Sequence, residues 1–200
     1  MRVVGLTGSI ACGKSTVSLT LKELGAVIID GDAISRALTA EGGEALPAIR
    51  EAFGDAVFRE DGSLDRRALG RAVFGCPEAL ERLDSLMQPL ILRRIEAELA
   101  EARARGAGGC VLDMPLLFEK GLDRLCDSVW CVWLPGEEQL SRLMLRDGLP
   151  REDAEKRIAS QLSSDEKAAR AQVIIDTRGS IPETAALIPP LWQRELAADR

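Results

Sequence analysis

The sequence contains no histidine. The side chain that ordinarily exchanges protons near neutral pH is therefore missing, so a general base has to be a carboxylate, a lysine, a thiolate or water. Among Cys12, Cys76, Cys110, Cys126 and Cys131 no two are spaced as CxxC. Without histidine to complete a ligand set, a zinc site of Cys/His type is not expected. An odd number of cysteines suggests reduced thiols, mostly small and buried. Cys12 is the exception, since its place in a glycine-rich loop is one that exposes a side chain. No apolar run is long enough to span a membrane. The opening MRVVGLTG has too short an apolar part for a secretory signal. The expectation is a cytoplasmic protein with no membrane partner. Excess positive charge is lacking too: the formal net charge is −6. That argues against broad nucleic-acid binding, which needs a basic surface to neutralise phosphates. A small anionic substrate needs only a local basic pocket.

What is present fits one domain, or one core domain with insertions, in 200 residues of which 46% are hydrophobic. Five short apolar stretches read as strands buried on both faces of a parallel sheet: 2–7, 26–30, 110–114, 128–134 and 172–176. A helix over 14–24, ended by Gly25, joins the first two strands into a βαβ unit. Residues 32–106 carry no strand signal and read as helices over 32–38, 43–53, 64–74 and 77 to about 105. So long a connection is an insertion, placed over the strand ends where α/β folds bind ligands. A second helical region, 136–170, is rich in both charge signs and reads either as a solvated helix pair or as a mobile lid. A last helix is expected after Pro189 and Pro190, with Trp192 docking on the core. The fold class is α/β, with a core of 1–31, 107–135 and 171–200.

The stretch GSIACGKS, from Gly8 through Ser9, Ile10, Ala11, Cys12, Gly13 and Lys14 to Ser15, satisfies GxxxxGK[ST] in full. Its glycines let backbone N–H groups converge on an anion, and the helix that follows adds its positive dipole end. Lys14 is placed to reach the β- and γ-phosphates, Ser15 to hold Mg²⁺, and Thr16 to border the α-phosphate. The alternative, a chance match in a tight turn, is disfavoured by the apolar strand before it and the helix after it. No [NT]KxD guanine signature appears, so a GTPase is disfavoured.

Two acidic positions follow. In IIDGDAISR, Asp30 and Asp32 stand at the end of the second strand, on the side of the sheet that carries the phosphate loop. Asp32 is placed to accept a proton from an attacking hydroxyl. The competing role, for either aspartate, is an N-cap of the next helix. Asp113 ends the third strand in VLDMPLLFE and either holds Mg²⁺, directly or through water, or begins a turn.

Several stretches together resemble the dephospho-CoA kinase family: GLTGSIACGKSTV, VIIDGDAISR, AIREAFGDAVFREDGSLDRRALGRAVF, LDSLMQPLI, VLDMPLLFEKGL, RLMLRDGLPREDAEKRIASQ and VIIDTRGS. The FGD…DGSLDRRALG and PLLFE stretches are not general features of phosphate-loop kinases. The resemblance implies a P-loop NTPase fold of three layers, with a five-stranded parallel sheet, a helical substrate-binding insertion and a helical lid. It implies transfer of the ATP γ-phosphoryl group to the 3′-hydroxyl of dephospho-CoA. It places the family's catalytic aspartate on Asp32 and lid arginines on Arg142, Arg146 and Arg157, whose guanidiniums suit phosphate oxygens. Arg66 and Arg67 either meet the substrate pyrophosphate or pair with Asp61 and Asp65. Three departures stand out: Gln88 replaces a usual histidine, Thr177 a usual asparagine in the loop of the adenine contacts, and Cys12 a frequent serine. An exposed Cys12 implies inhibition by thiol reagents, with ATP protecting. Two other readings stay open at this stage: a kinase for another hydroxylated metabolite, and a non-catalytic nucleotide-binding module.

Overall fold

The computed structural model describes residues 1–198 and has five parallel strands. In chain order they are β1 (Arg2–Gly8), β2 (Val27–Asp30), β3 (Gly109–Asp113), β4 (Ser128–Trp133) and β5 (Val173–Asp176). They lie side by side as β2-β3-β1-β4-β5. Each matches an expected strand to within a residue or two at either end. The three inner strands are buried almost throughout, whereas β2 and β5 at the edges keep exposed positions. Burial on both faces is why the inner strands read as continuous apolar runs.

The helices are α1 (Lys14–Glu23), α2 (Gly31–Leu38), α3 (Leu46–Phe53), α4 (Arg66–Val73), α5 (Pro77–Ala104), α6 (Gly136–Asp147), α7 (Arg151–Ala159), α8 (Ser164–Arg170) and α9 (Ile181–Ala197). Two compact units result: residues 1–30 with the chain from 101 on, and residues 31–100. In the first unit, α1 packs on α9, and α8 lies against β4 and β1. Val17 and Leu21 of α1 join Ile188 and Trp192 of α9 over Val4, Leu6, Val111, Trp130 and Val132 of the sheet. Trp192 meets Trp130 edge to face, with ring centroids 6.4 Å apart. Glu195 fastens the same helix by accepting from Arg2 Nε at 2.8 Å and Trp130 Nε1 at 3.3 Å.

Trp192 docks on the core as expected, but its helix does not begin after the prolines. It begins at Ile181, and Pro189 and Pro190 lie inside it. Ser180 and Glu183 form a reciprocal capping box at its start, and the buried positions Thr184, Ile188, Trp192 and Glu195 make one face. That cap and that face outweigh two lost backbone donors.

The second unit has its own small core, including Ile34, Leu38, Ile49, Val57, Leu64, Leu69 and Met87. Asp65 starts α4 by accepting from the N–H groups of Arg67 and Ala68, so this helix begins after Leu64, which pairs in a short antiparallel bridge with Phe58. Helix α3 begins at Leu46 rather than Gly43, with Pro47 in its first turn. Among the described residues, no helix is long and apolar enough to cross a membrane.

Candidate active site

The phosphate loop leaves β1 at Gly8 and enters α1 at Lys14. Its path needs two left-handed residues, Ala11 at φ 62° and Gly13 at φ 87°. A Cβ on Gly8 would lie 2.5 Å from Cys12 Sγ and 2.7 Å from the Val132 carbonyl oxygen, so only glycine fits there. Helix α1 begins with no side-chain cap and no acidic residue in its first turn. Its N-terminus thus presents positive dipole and donors with no competing carboxylate in the first turn, the local chemistry that accepts a phosphate.

The loop is held from several sides. Ser9 Oγ donates to the Leu162 carbonyl at 3.0 Å, and the Ile10 N–H to Gln161 Oε1 at 3.2 Å. Gln139 Nε2 donates to the Ile10 carbonyl at 2.8 Å. Thr177 Oγ1 donates to the Cys12 carbonyl at 2.8 Å. Ile10 and Ala11 also pack against Leu140, Leu143 and Ala154 of α6 and α7. None of Gln139, Gln161 or Leu162 carries a motif of its own. A charged helical segment gives no sign of which amide will turn inward.

Lys14 Nζ forms an ion pair with Asp113 at the end of β3, both side chains largely buried. The register sets Asp30 opposite Asp113 on the adjacent strand, so two carboxylates share one edge of the loop's side of the sheet. An ammonium has three donors, so one Lys14 can serve a carboxylate and a phosphate together. Asp32 lies two residues beyond Asp30, inside the first turn of α2 and exposed. It occupies a helical position, not the one before the helix, so the N-cap reading falls away for this residue. Ser15 is exposed on the first turn of α1.

Cys12 corrects an expectation. It is buried, 1% exposed, and burial pushes its thiol up to about 11, against opposing pulls from the Lys14 backbone N–H and the Lys14 and Lys167 charges. The loop folds its side chain inward against Gly8, where the absent Cβ leaves room. A thiol that is covered and protonated is a poor nucleophile, so inhibition by thiol reagents through Cys12 is not expected.

The arginines divide. Arg142 donates to the Thr177 carbonyl at 2.7 Å, which places it against the loop after β5. Arg146 forms a paired contact with Asp147, and Arg157 reaches the same carboxylate at 3.0 Å. The Arg146 hydrogen bond, then the charges of Arg146 and Arg157, hold the Asp147 carboxyl below the usual range. In the second unit, Arg66 donates to Thr39 Oγ1 at 2.7 Å and to the Arg36 carbonyl at 3.2 Å. Asp65 is occupied as a helix cap and Asp61 bonds Ser63. Arg66 lines an apolar cavity of about 230 Å³ with Ile49, Leu64, Leu69 and Met87. Arg67 and Arg71 flank the exposed Phe74. Gln88 is half-buried on α5.

With this geometry in place, the comparisons with known proteins are specific. A model of the dephospho-CoA kinase family matches residues 2–183. A dephospho-CoA kinase of Symbiobacterium thermophilum is 49% identical over 193 residues, covering 96% of this chain and 81% of that protein. The crystal structure of TT1252 from Thermus thermophilus superposes with a TM-score of 0.81 at 36% identity, covering 96% of this chain and 97% of the other. A dephospho-CoA kinase from Campylobacter jejuni gives a TM-score of 0.66 at 26% identity, covering 97% of each chain.

Proposed function

The chain belongs to the dephospho-CoA kinase family, and from that membership we propose that it transfers the γ-phosphoryl group of ATP to the 3′-hydroxyl of dephospho-CoA, with Asp32 as the base. Members of the family phosphorylate dephospho-CoA with ATP to give coenzyme A. The observation that carries the assignment to this site is the complete phosphate loop feeding an uncapped helix, with Lys14 and Asp113 paired at its edge.

Backbone donors from Gly8 to Thr16 receive the ATP phosphates, and Lys14 offsets charge on the β- and γ-oxygens. Asp32 accepts the hydroxyl proton as the oxygen attacks phosphorus. Chain connectivity keeps its Cα within about 7 Å of that of Asp30 at the end of β2. No histidine competes for this role in the sequence. Residues 136–170 act as the lid. Arg142, already against the loop after β5, meets the nucleotide, and Arg146 leaves the exposed Asp147 for phosphate as the lid closes. Closure excludes water and limits hydrolysis of ATP.

The oxygen donors also suit Mg²⁺, which takes one or two protein ligands and completes its shell with phosphate and water. Ser15 and Asp113 are the residues that would hold it, with Asp30 next to Asp113 in register. Bound there, it would offset negative charge on the phosphates.

The test is ADP release with ATP, with and without dephospho-CoA, with the product identified by mass. Release that depends on the acceptor and yields coenzyme A is expected; ATP binding without coenzyme A sinks the assignment. Asp32→Asn should lower turnover about 10²–10⁴-fold while leaving ATP affinity intact. Turnover close to that of the unaltered enzyme would remove Asp32 as the base.

A further inference from the structure

Lys167 is fully buried, yet its side chain sits in an ion pair. Its Nζ pairs with Glu119 Oε1 at 2.9 Å and donates to the Pro115 carbonyl. The same carbonyl accepts from Thr7 Oγ1 at 3.0 Å, near the end of β1 just before the phosphate loop. Glu119 Oε1 also accepts the Leu162 N–H at 3.0 Å, and the Leu162 carbonyl accepts Ser9 Oγ. One ion pair therefore ties together three segments that meet at the nucleotide site. They are the exit of β1, the stretch after Asp113, and the α7–α8 connection that holds Ser9 and Ile10.

Stability alone is a weak reason for such a pair. Removing two charges from water is costly, and buried ion pairs are often matched or bettered by apolar side chains of the same volume. Here the desolvation is not fully offset, because Glu119 Oε2 is buried with no hydrogen-bond partner among the described residues. What apolar side chains would not reproduce is direction. They would leave Leu162 N–H and the Pro115 carbonyl without these partners, and with them the aim of Ser9.

We propose that Lys167 and Glu119 are a positioning pair for the phosphate loop: they act through Leu162 and Pro115 to set the loop for ATP, and touch neither substrate. This rests on the kinase reading above, but its primary readout does not need the acceptor. Equilibrium binding of magnesium ATP, without dephospho-CoA, is measured for Lys167→Met and for the double variant Lys167→Met/Glu119→Leu. Thermal unfolding and the KM of each substrate are measured beside it. Both variants should bind ATP at least about tenfold more weakly, the scale of effect of a sub-ångström displacement in a phosphate site. KM for ATP should rise while KM for dephospho-CoA holds.

The double variant, free of a lone buried charge, should unfold no earlier than the unaltered protein and still bind ATP weakly. If it folds and binds ATP normally, the pair has no positioning role. If it does not fold, or if the two KM values rise together with lost stability, the pair is structural and the proposal is overturned. Failure of the unaltered enzyme to make coenzyme A would sink the acceptor assignment alone, and the ATP-binding comparison would still decide this one.

Discussion

The two units of the molecule are held together by different means. In the sheet-bearing unit, the phosphate loop is fixed by directional contacts from segments far apart in sequence: Gln139, Gln161, Leu162 and Thr177. In the helical unit, a small apolar core is edged by exposed ion pairs such as Arg50–Asp55 and Arg93–Glu44. Directional contacts define where an atom sits; apolar contacts define mainly that a surface is covered. A group-transfer site needs the first kind where phosphorus reacts.

The same substitution should therefore have opposite signs in the two units. Gly8→Ala forces a Cβ to within 2.7 Å of the Val132 carbonyl on a central strand, which cannot move aside. Turnover should fall about 100-fold and stability by about 1–3 kcal/mol. Gly70→Ala lies inside α4, where a Cβ meets nothing within 4 Å. It should add about 0.5–1 kcal/mol of stability through helix propensity. Chemical denaturation of both variants checks the pair; equal effects would erase the contrast.

A subtler contrast is in the thiols. Cys76 is exposed in the helical unit and Cys12 is buried under the phosphate loop. Brief alkylation of the native protein followed by peptide mass mapping should find Cys76 modified, Cys12 intact and activity retained. Rising pH should then weaken the sheet-bearing unit. The unfolded Cys12 thiol ionises near 9.0, the folded one near 11. The stabilisation is complete below about pH 9 and is lost as pH rises toward 11. With Cys76 first blocked by that alkylation, and with no tyrosine in the chain, the ultraviolet thiolate band can be followed without the exposed thiol or tyrosinate beneath it. Ionisation of Cys12 in the native protein near pH 9 would contradict its burial.

The smallest effect expected is from Arg93→Ala, which breaks an exposed pair and should change stability by less than about 0.5 kcal/mol. A larger loss would mean that surface charge contributes to the helical unit beyond its apolar core.

What was legible in the sequence was what is local. Each strand announces itself by a short apolar run, and the phosphate loop is a contiguous motif whose chemistry follows from backbone and helix geometry. Asp30 and Asp113 could be placed at strand ends, although only the register set them side by side. Hidden were the features that depend on what folds back. Cys12 looked exposed because loops usually are, and its burial comes from a side chain turned toward Gly8. Pro189 and Pro190 looked like a helix boundary, until the capping box and the buried face of α9 outweighed them. Lys167 is one charge among several in SDEKAAR, and nothing local tells it from the exposed Arg170.

The strand order has a consequence for how the chain is made. β1 lies between β3 and β4, and its Arg2 and Val4 pair with Gly109 and Ser128. On a ribosome adding about 5–20 residues per second, Gly109 follows Arg2 by roughly 5–20 s. For that interval an apolar strand leaves the tunnel with both hydrogen-bonding edges open, the condition in which nascent chains pair wrongly or recruit chaperones. The contacts that shape the phosphate loop come from Gln139, Gln161, Leu162 and Thr177, later still. The most recognisable dozen residues of the protein are synthesised well before the residues that give them their form.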